Sequence, residues 1–135
     1  MTEHREPLNV ELLQRIDPDR PVTMLNFMKF RERSLDGDGT GWDAYLRYSQ
    51  HTIGLIKERG GTIIWAGDLQ GISFGETPDG DWDYVALVCY PTPGAFLDMM
   101  RSPDYEAGNV HRENGTQRHL IYVLHEEYSK LASGG

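Results

Sequence analysis

A ferredoxin-like α+β fold with an extra N-terminal helix is what the 135 residues predict, on three observations. Strand-like and helical segments follow one another as β-α-β-β-α-β, the split βαβ pattern. Right-handed crossovers then place both connecting helices on one side of the sheet. The length allows one core and not two. The chain therefore divides into a helical extension over 1–20, a core over 21–128 and a tail over 129–135.

Each element has a local reason. Pro7 suits the first turn of a helix carrying Leu8, Leu12 and Ile16 on one side, and Asp17-Pro18 ends it. The run Val22–Phe30 is rich in strand-favouring residues, and Ser34–Gly41 is a glycine-aspartate loop. That loop lacks the closing glutamate of a calcium-binding EF-hand. From Trp42 to Arg59, helical spacing groups Trp42, Tyr45, Leu46, Ser49, Thr52, Ile53 and Ile56 on one face, with Tyr48 and Leu55 at its edge. Gly60-Gly61 stops the helix. Thr62–Ala66 is a strand expected to continue, through a bulge at Gly67-Asp68, to about Phe74. Thr77–Asp81 supplies a hairpin turn, and Trp82–Tyr90 is the strongest strand. Helical pieces follow over Gly94–Met100 and Asp104–Glu113, split by Ser102-Pro103. After a break at Asn114-Gly115, His119–Glu127 completes the sheet.

A sheet with one face in water should alternate apolar and polar residues. This one does not. In the third strand Val85, Leu87 and Cys89 form one row and Trp82, Tyr84, Ala86, Val88 and Tyr90 the other. In the first strand Leu25 and Phe27 oppose Val22, Met24, Met28 and Phe30; in the fourth, Leu120, Tyr122 and Leu124 oppose Ile121 and Val123. Two apolar faces need two covers, and the short N-terminal helix is the sole spare element. The expectation is a homodimer stacked sheet on sheet.

Composition narrows the partners. Thirteen basic and 21 acidic residues give a net charge of −8, which argues against a nucleic-acid binder. The longest strongly apolar run, Tyr84–Tyr90, is far short of a bilayer span, so no membrane association is expected. The charged start Met1–Glu6 lacks a secretory signal's apolar stretch, and the lone Cys89 closes no intrachain disulfide. A cytoplasmic protein is the expectation.

Three blocks carry a likeness: Gly60-Gly61-Thr62-Ile63-Ile64-Trp65-Ala66-Gly67, Tyr90-Pro91-Thr92-Pro93-Gly94-Ala95-Phe96 and Arg101-Ser102-Pro103-Asp104-Tyr105. With Arg112 seven residues after that tyrosine, and with Trp42, Tyr45 and Tyr48 spaced along the first long helix, residues 22–125 resemble domain-of-unknown-function family 1330. That family belongs to the dimeric α/β-barrel superfamily. The resemblance implies a ferredoxin-like dimeric barrel, with a pocket between sheet and helices. It implies no single activity, since superfamily members include cofactor-free monooxygenases, polyketide cyclases, muconolactone isomerases and haem peroxidases. The leading helix, the long loop from Arg31 to Gly41 and His111 beside Arg112 depart from the shorter family pattern.

The candidate site follows from residue chemistry. His111 can exchange protons near neutral pH, and the adjacent Arg112 can hold an enolate or carboxylate, although neighbours on a helix diverge by about 100°. The alternative is a surface histidine beside an arginine paired with Asp104 or Glu106. Asn26 is the one amide in an apolar strand, suited to orienting a carbonyl or to making a structural hydrogen bond. Tyr48, Trp65, Trp82 and Tyr84 can line a flat apolar cavity, or be core and dimer interface. Tyr45 is read as core. His119 and His125, six apart on a strand, are about 20 Å distant, so the five histidines offer no metal spacing. No metal or other cofactor is expected.

The reading is a cofactor-independent enzyme of isomerase, cyclase or monooxygenase type, acting on a small apolar carbonyl or phenolic compound. His111 and Asn26 would be catalytic, and Arg112, Tyr48, Trp65, Trp82 and Tyr84 substrate-binding. The alternative is a non-catalytic, small-molecule-binding or stress-associated dimer.

Overall fold

The computed structural model describes residues 8–77 and 81–131. Its elements are α1 (Val10–Arg15), β1 (Val22–Phe30), α2 (Gly41–Glu58), β2 (Thr62–Asp68), β3 (Tyr84–Tyr90), α3 (Pro93–Met100), α4 (Pro103–Gly115) and β4 (Thr116–Leu124). The strands form one antiparallel sheet in the order β2-β3-β1-β4. Helices and sheet together make the ferredoxin-like α+β arrangement that the element order predicts.

Polar side chains set the helix starts. Thr40 caps α2 in a reciprocal box: its hydroxyl accepts from the Asp43 N–H, and the Asp43 carboxylate accepts from the Thr40 N–H. Thr92 and Ser102 cap α3 and α4, each followed by proline in the first turn. Asn9 caps α1, its side-chain oxygen accepting from the Leu12 N–H, while the helix start expected at Pro7 lies outside the described residues.

The far end of α4 is held by a close backbone approach. The Arg31 N–H donates to Gly115 O at 2.8 Å, and the Gly41 N–H donates to Arg31 O at 3.1 Å. A Cβ on Gly115 would lie 2.5 Å from Gly41 O, and one on Gly41 would lie 2.6 Å from Gly115 O. Only glycine fits at both places. The helix therefore runs through Asn114-Gly115, where a break was expected, and passes directly into β4. That strand begins at Thr116, whose hydroxyl donates to Arg112 O at 2.7 Å.

Alternation along β1 sorts the sheet faces. Val22, Met24 and Met28 are buried under the helices, as are Ala86, Val88 and Tyr90 of β3. Around them lies the core, with Tyr48, Leu55, Ile56, Phe96, Leu97, Met99 and Tyr105. The buried stripe of α2 is rotated from the expected one: Ala44, Tyr48, Thr52, Leu55 and Ile56 are buried, while Trp42, Leu46 and Ile53 are exposed. The cause is α4, which packs against α2 and draws Tyr48 and Leu55 inward alongside the sheet contact.

The opposite face stays open. Register aligns Trp65, Leu87, Leu25 and Tyr122 across all four strands, flanked by a row of Val85, Phe27 and Leu120. Trp65 is 47% and Tyr122 53% exposed. The expected spare cover, α1, packs on α3 instead and sends Leu13 into the core on the helix side. Cys89 lies half-buried on the open face, not in the deep core, with its sulfur 3.2 Å from Thr23 Oγ1. The second strand ends at Asp68 and its register shifts between Ile63 and Trp65, so the bulge falls at Ile64 rather than at Gly67-Asp68. Part of the expected hairpin turn over 77–81 lies outside the described residues. No helix among the described residues is long and apolar enough to cross a membrane.

Candidate functional site

Asn26, placed by alternation on the helix-covered face of β1, pairs in register with Ala86 and Ile121. One pair along, Met28 sits opposite His119 of β4, on the same face. The His119 Nε2–H donates to Asn26 Oδ1 at 2.8 Å, and its Nδ1 accepts from Arg112 Nη1 at 3.2 Å. Arginine can only donate, so that contact fixes the tautomer: the ring proton sits on Nε2. Arg112 Nε donates to Asn109 Oδ1 at 2.7 Å, and Asn26 Nδ2 donates to Met24 O and Ala86 O at 3.2 and 3.4 Å. The result is a directional chain, Arg112 to His119 to Asn26, anchored at both ends. Burial first, and then the Arg112 cation, disfavours the imidazolium and pushes the His119 pKa down to about 3. His119 is therefore a neutral ring at physiological pH.

Two adjoining spaces meet at this chain. An inner cavity of ≈ 60 Å³ lies between sheet and helices, bordered by Asn26 and His119 below and by Tyr45, Tyr48, Ser49 and Thr52 of α2 above. An outer cleft of ≈ 600 Å³ opens between α1 and the β4 edge, bordered by Leu8, Leu12, Arg112, His119 and Tyr122. His119 and Tyr105 border both. Volume assigns their uses. A cavity of about 150 Å³ is needed to take benzene, so the inner space admits a small substituent or a few waters. The outer cleft falls in the range of about 300–1,000 Å³ typical of small-molecule sites.

Opposite the chain, the hydroxyls of Tyr48 and Tyr105 are 2.9 Å apart, with the rings edge to face. Burial, reinforced by Tyr105, raises the Tyr48 pKa well above its ordinary value, so it stays a phenol. Burial likewise raises Tyr45 to about 12.

Of the seven residues nominated from sequence, Asn26, Tyr48 and Arg112 border these spaces. His111 borders neither, because the helical offset that turns Arg112 inward turns its neighbour away. Trp65 falls on the open sheet face after the Ile64 bulge, and Trp82 packs on Phe27 there, with Arg118 stacked over its ring at 4.2 Å. Tyr84 is on the helix side but packs against Phe30, Trp42 and Tyr45 rather than facing either space. Tyr45, read as core, instead borders the inner cavity.

Sequence reasoning missed His119 as a pocket residue, having weighed it only as a metal ligand. The signal was present in its phase: His119 alternates with Ile121 and Val123, so it points to the helix-covered face like Asn26.

The arrangement defines a class of protein: a ferredoxin-like α+β sheet layer carrying a pocket between sheet and helices. Solved structures agree on the fold. The RPA0582 protein of unknown function from Rhodopseudomonas palustris is 26% identical, with a TM-score of 0.81 over 92% of this chain and 97% of that chain. SnoaB, a cofactor-independent oxygenase from Streptomyces nogalater, is 14% identical, with a TM-score of 0.54 over 82% of this chain and 96% of its own. A dimeric protein of unknown function with a ferredoxin-like fold from Bacteroides fragilis is 8% identical, with a TM-score of 0.52 over 78% and 96%. The last two likenesses show the fold alone. No protein-family model matches the chain. No curated protein matches it either.

Proposed function

We propose that the protein is a cofactor-independent enzyme that binds a small, largely apolar carbonyl or phenolic compound in the outer cleft and stabilises negative charge on its oxygen. The observation that carries this reading is the Arg112–His119–Asn26 chain, which runs from the outer cleft at Arg112 to the inner cavity at Asn26 with His119 bordering both. A neutral histidine with depressed basicity is a poor proton acceptor. Beside a buried arginine it supports a hydrogen-bond donor set fixed in advance, the arrangement that stabilises an enolate or phenolate as it forms. His119 is thus a positioning residue for Arg112, which borders the outer cleft and faces the ligand oxygen, and is itself held by Asn26 on the inner side. Isomerisation, cyclisation and cofactor-free oxygenation all begin with such an anion. SnoaB supports the last of these as a distant analogy of fold.

A bound phenol reads this directly. With 4-nitrophenol as probe, the phenol-to-phenolate change is followed by absorbance as pH is varied. A nearby cation lowers the pKa of an acid by about 1–3 units, so the bound probe should ionise at least about one unit lower than in solution. Arg112→Gln should abolish the shift. An unshifted bound probe would leave the non-catalytic reading.

The same proposal covers the assembly. A second copy stacks on the open sheet face, as in the dimeric α/β-barrel superfamily that the family 1330 blocks resemble. Its support is the continuous apolar row Trp65, Leu87, Leu25 and Tyr122, which nothing else among the described residues covers.

A further inference from the structure

Two buried side-chain polar atoms, His111 Nδ1 and Thr52 Oγ1, have no hydrogen-bond partner among the described residues, and of the two Thr52 borders a cavity while His111 does not. Thr52 is only 4% exposed and borders the inner cavity, yet its Oγ1 has no hydrogen-bond partner among the described residues. Elsewhere around this space polar atoms are matched: Asn26 and His119 to each other, and Tyr48 to Tyr105. An unmatched buried hydroxyl is destabilising, and valine has almost the same shape without it. An unmatched buried hydroxyl at a cavity wall is available to pair with a polar group that enters the cavity.

We propose that Thr52 is a specificity-determining residue. Its hydroxyl hydrogen-bonds a second oxygen of the ligand, one that projects from the outer cleft into the inner cavity. The substrate class is thereby narrowed to dioxygenated ring compounds, hydroxy-ketones or dihydric phenols. One oxygen is held near Arg112 in the outer cleft, the other at Thr52 in the inner cavity. The volumes fit this division: the ring needs the ≈ 600 Å³ cleft, while ≈ 60 Å³ suffices for a hydroxyl or keto group. This inference rests on the cleft being a small-molecule site, as proposed above.

The test compares 1- and 2-naphthol with the dihydroxynaphthalene isomers, by calorimetric titration against wild type, Thr52→Val and Thr52→Ser. A net hydrogen bond is worth a factor of about 3–10 in affinity. At least one isomer should therefore bind wild type about 3–10 times more tightly than its parent naphthol. Thr52→Val should erase that gain and leave naphthol affinity unchanged; Thr52→Ser should keep it. The melting temperature of Thr52→Val should equal or exceed that of wild type. If naphthols bind but no isomer gains, or the gain survives Thr52→Val, the role of Thr52 is refuted and the site stands. The same holds if Thr52→Val melts lower, since the hydroxyl would then have a structural partner. If no naphthol binds, the site reading fails and this inference falls with it.

Discussion

Replacing His119 by glutamine should flatten the acid side of the protein's stability curve. In the folded chain burial and Arg112 hold the imidazole neutral, with a pKa of about 3. In the unfolded chain it titrates near 6.5. Below pH 6.5 the unfolded state therefore takes up a proton that the folded state refuses. Stability falls as pH falls, over the window from about 6.5 to about 3. Linkage sets the slope at about 1.4 kcal/mol per pH unit, so the loss is about 2 kcal/mol by pH 5 and at most ~5 kcal/mol by pH 3. Against a total of about 5–15 kcal/mol this is a large share. Glutamine stays neutral and can still donate to Asn26. Urea unfolding at pH 7.5 and pH 5 reads the difference. With an m-value of about 1–3 kcal/mol/M, the wild-type midpoint should drop about 1 M further than that of His119→Gln. Every other group is common to the two proteins and cancels in the comparison. Equal drops in the two proteins would refute the claim that His119 is held neutral, and with it the charge distribution assigned to the site.

Asn26→Asp should place a carboxylate at the histidine's Nε2 and so raise the His119 pKa by about one unit or more, followed by the imidazole resonance in NMR. An unmoved pKa would mean that the 2.8 Å contact does not form. Tyr48→Phe leaves the buried Tyr105 hydroxyl without that partner, and should cost about 1–2 kcal/mol in chemical unfolding. Leu25→Glu puts a charge at the centre of the open face, between Leu87 and Tyr122. Sedimentation should show a folded monomer where wild type is a dimer; an unchanged sedimentation coefficient would refute the assembly proposed.

Much of the fold was legible in the chain because local chemistry fixes it. The β-α-β-β-α-β order and the turns of glycine and proline depend on neighbours within a few residues, as do the caps that the structure adds at Thr40, Thr92 and Ser102. The two apolar rows of β1, β3 and β4 were legible for the same reason, since strand side chains alternate with period two. The choice of Asn26 came from its being the one amide in that apolar pattern; that it faces the helices was decided by the fold.

What sequence could not decide was which distant residues meet. The backbone approach of Gly41 and Gly115 carries α4 straight into β4 and brings Arg112 beside His119. That turned the site from His111 to His119, and it also rotated the α2 stripe toward Tyr48 and Leu55. The bulge at Ile64 sent Trp65 to the open face by a similar route. Pairing across 93 residues, as between His119 and Asn26, leaves no local trace, because its energy is settled by how two finished elements pack.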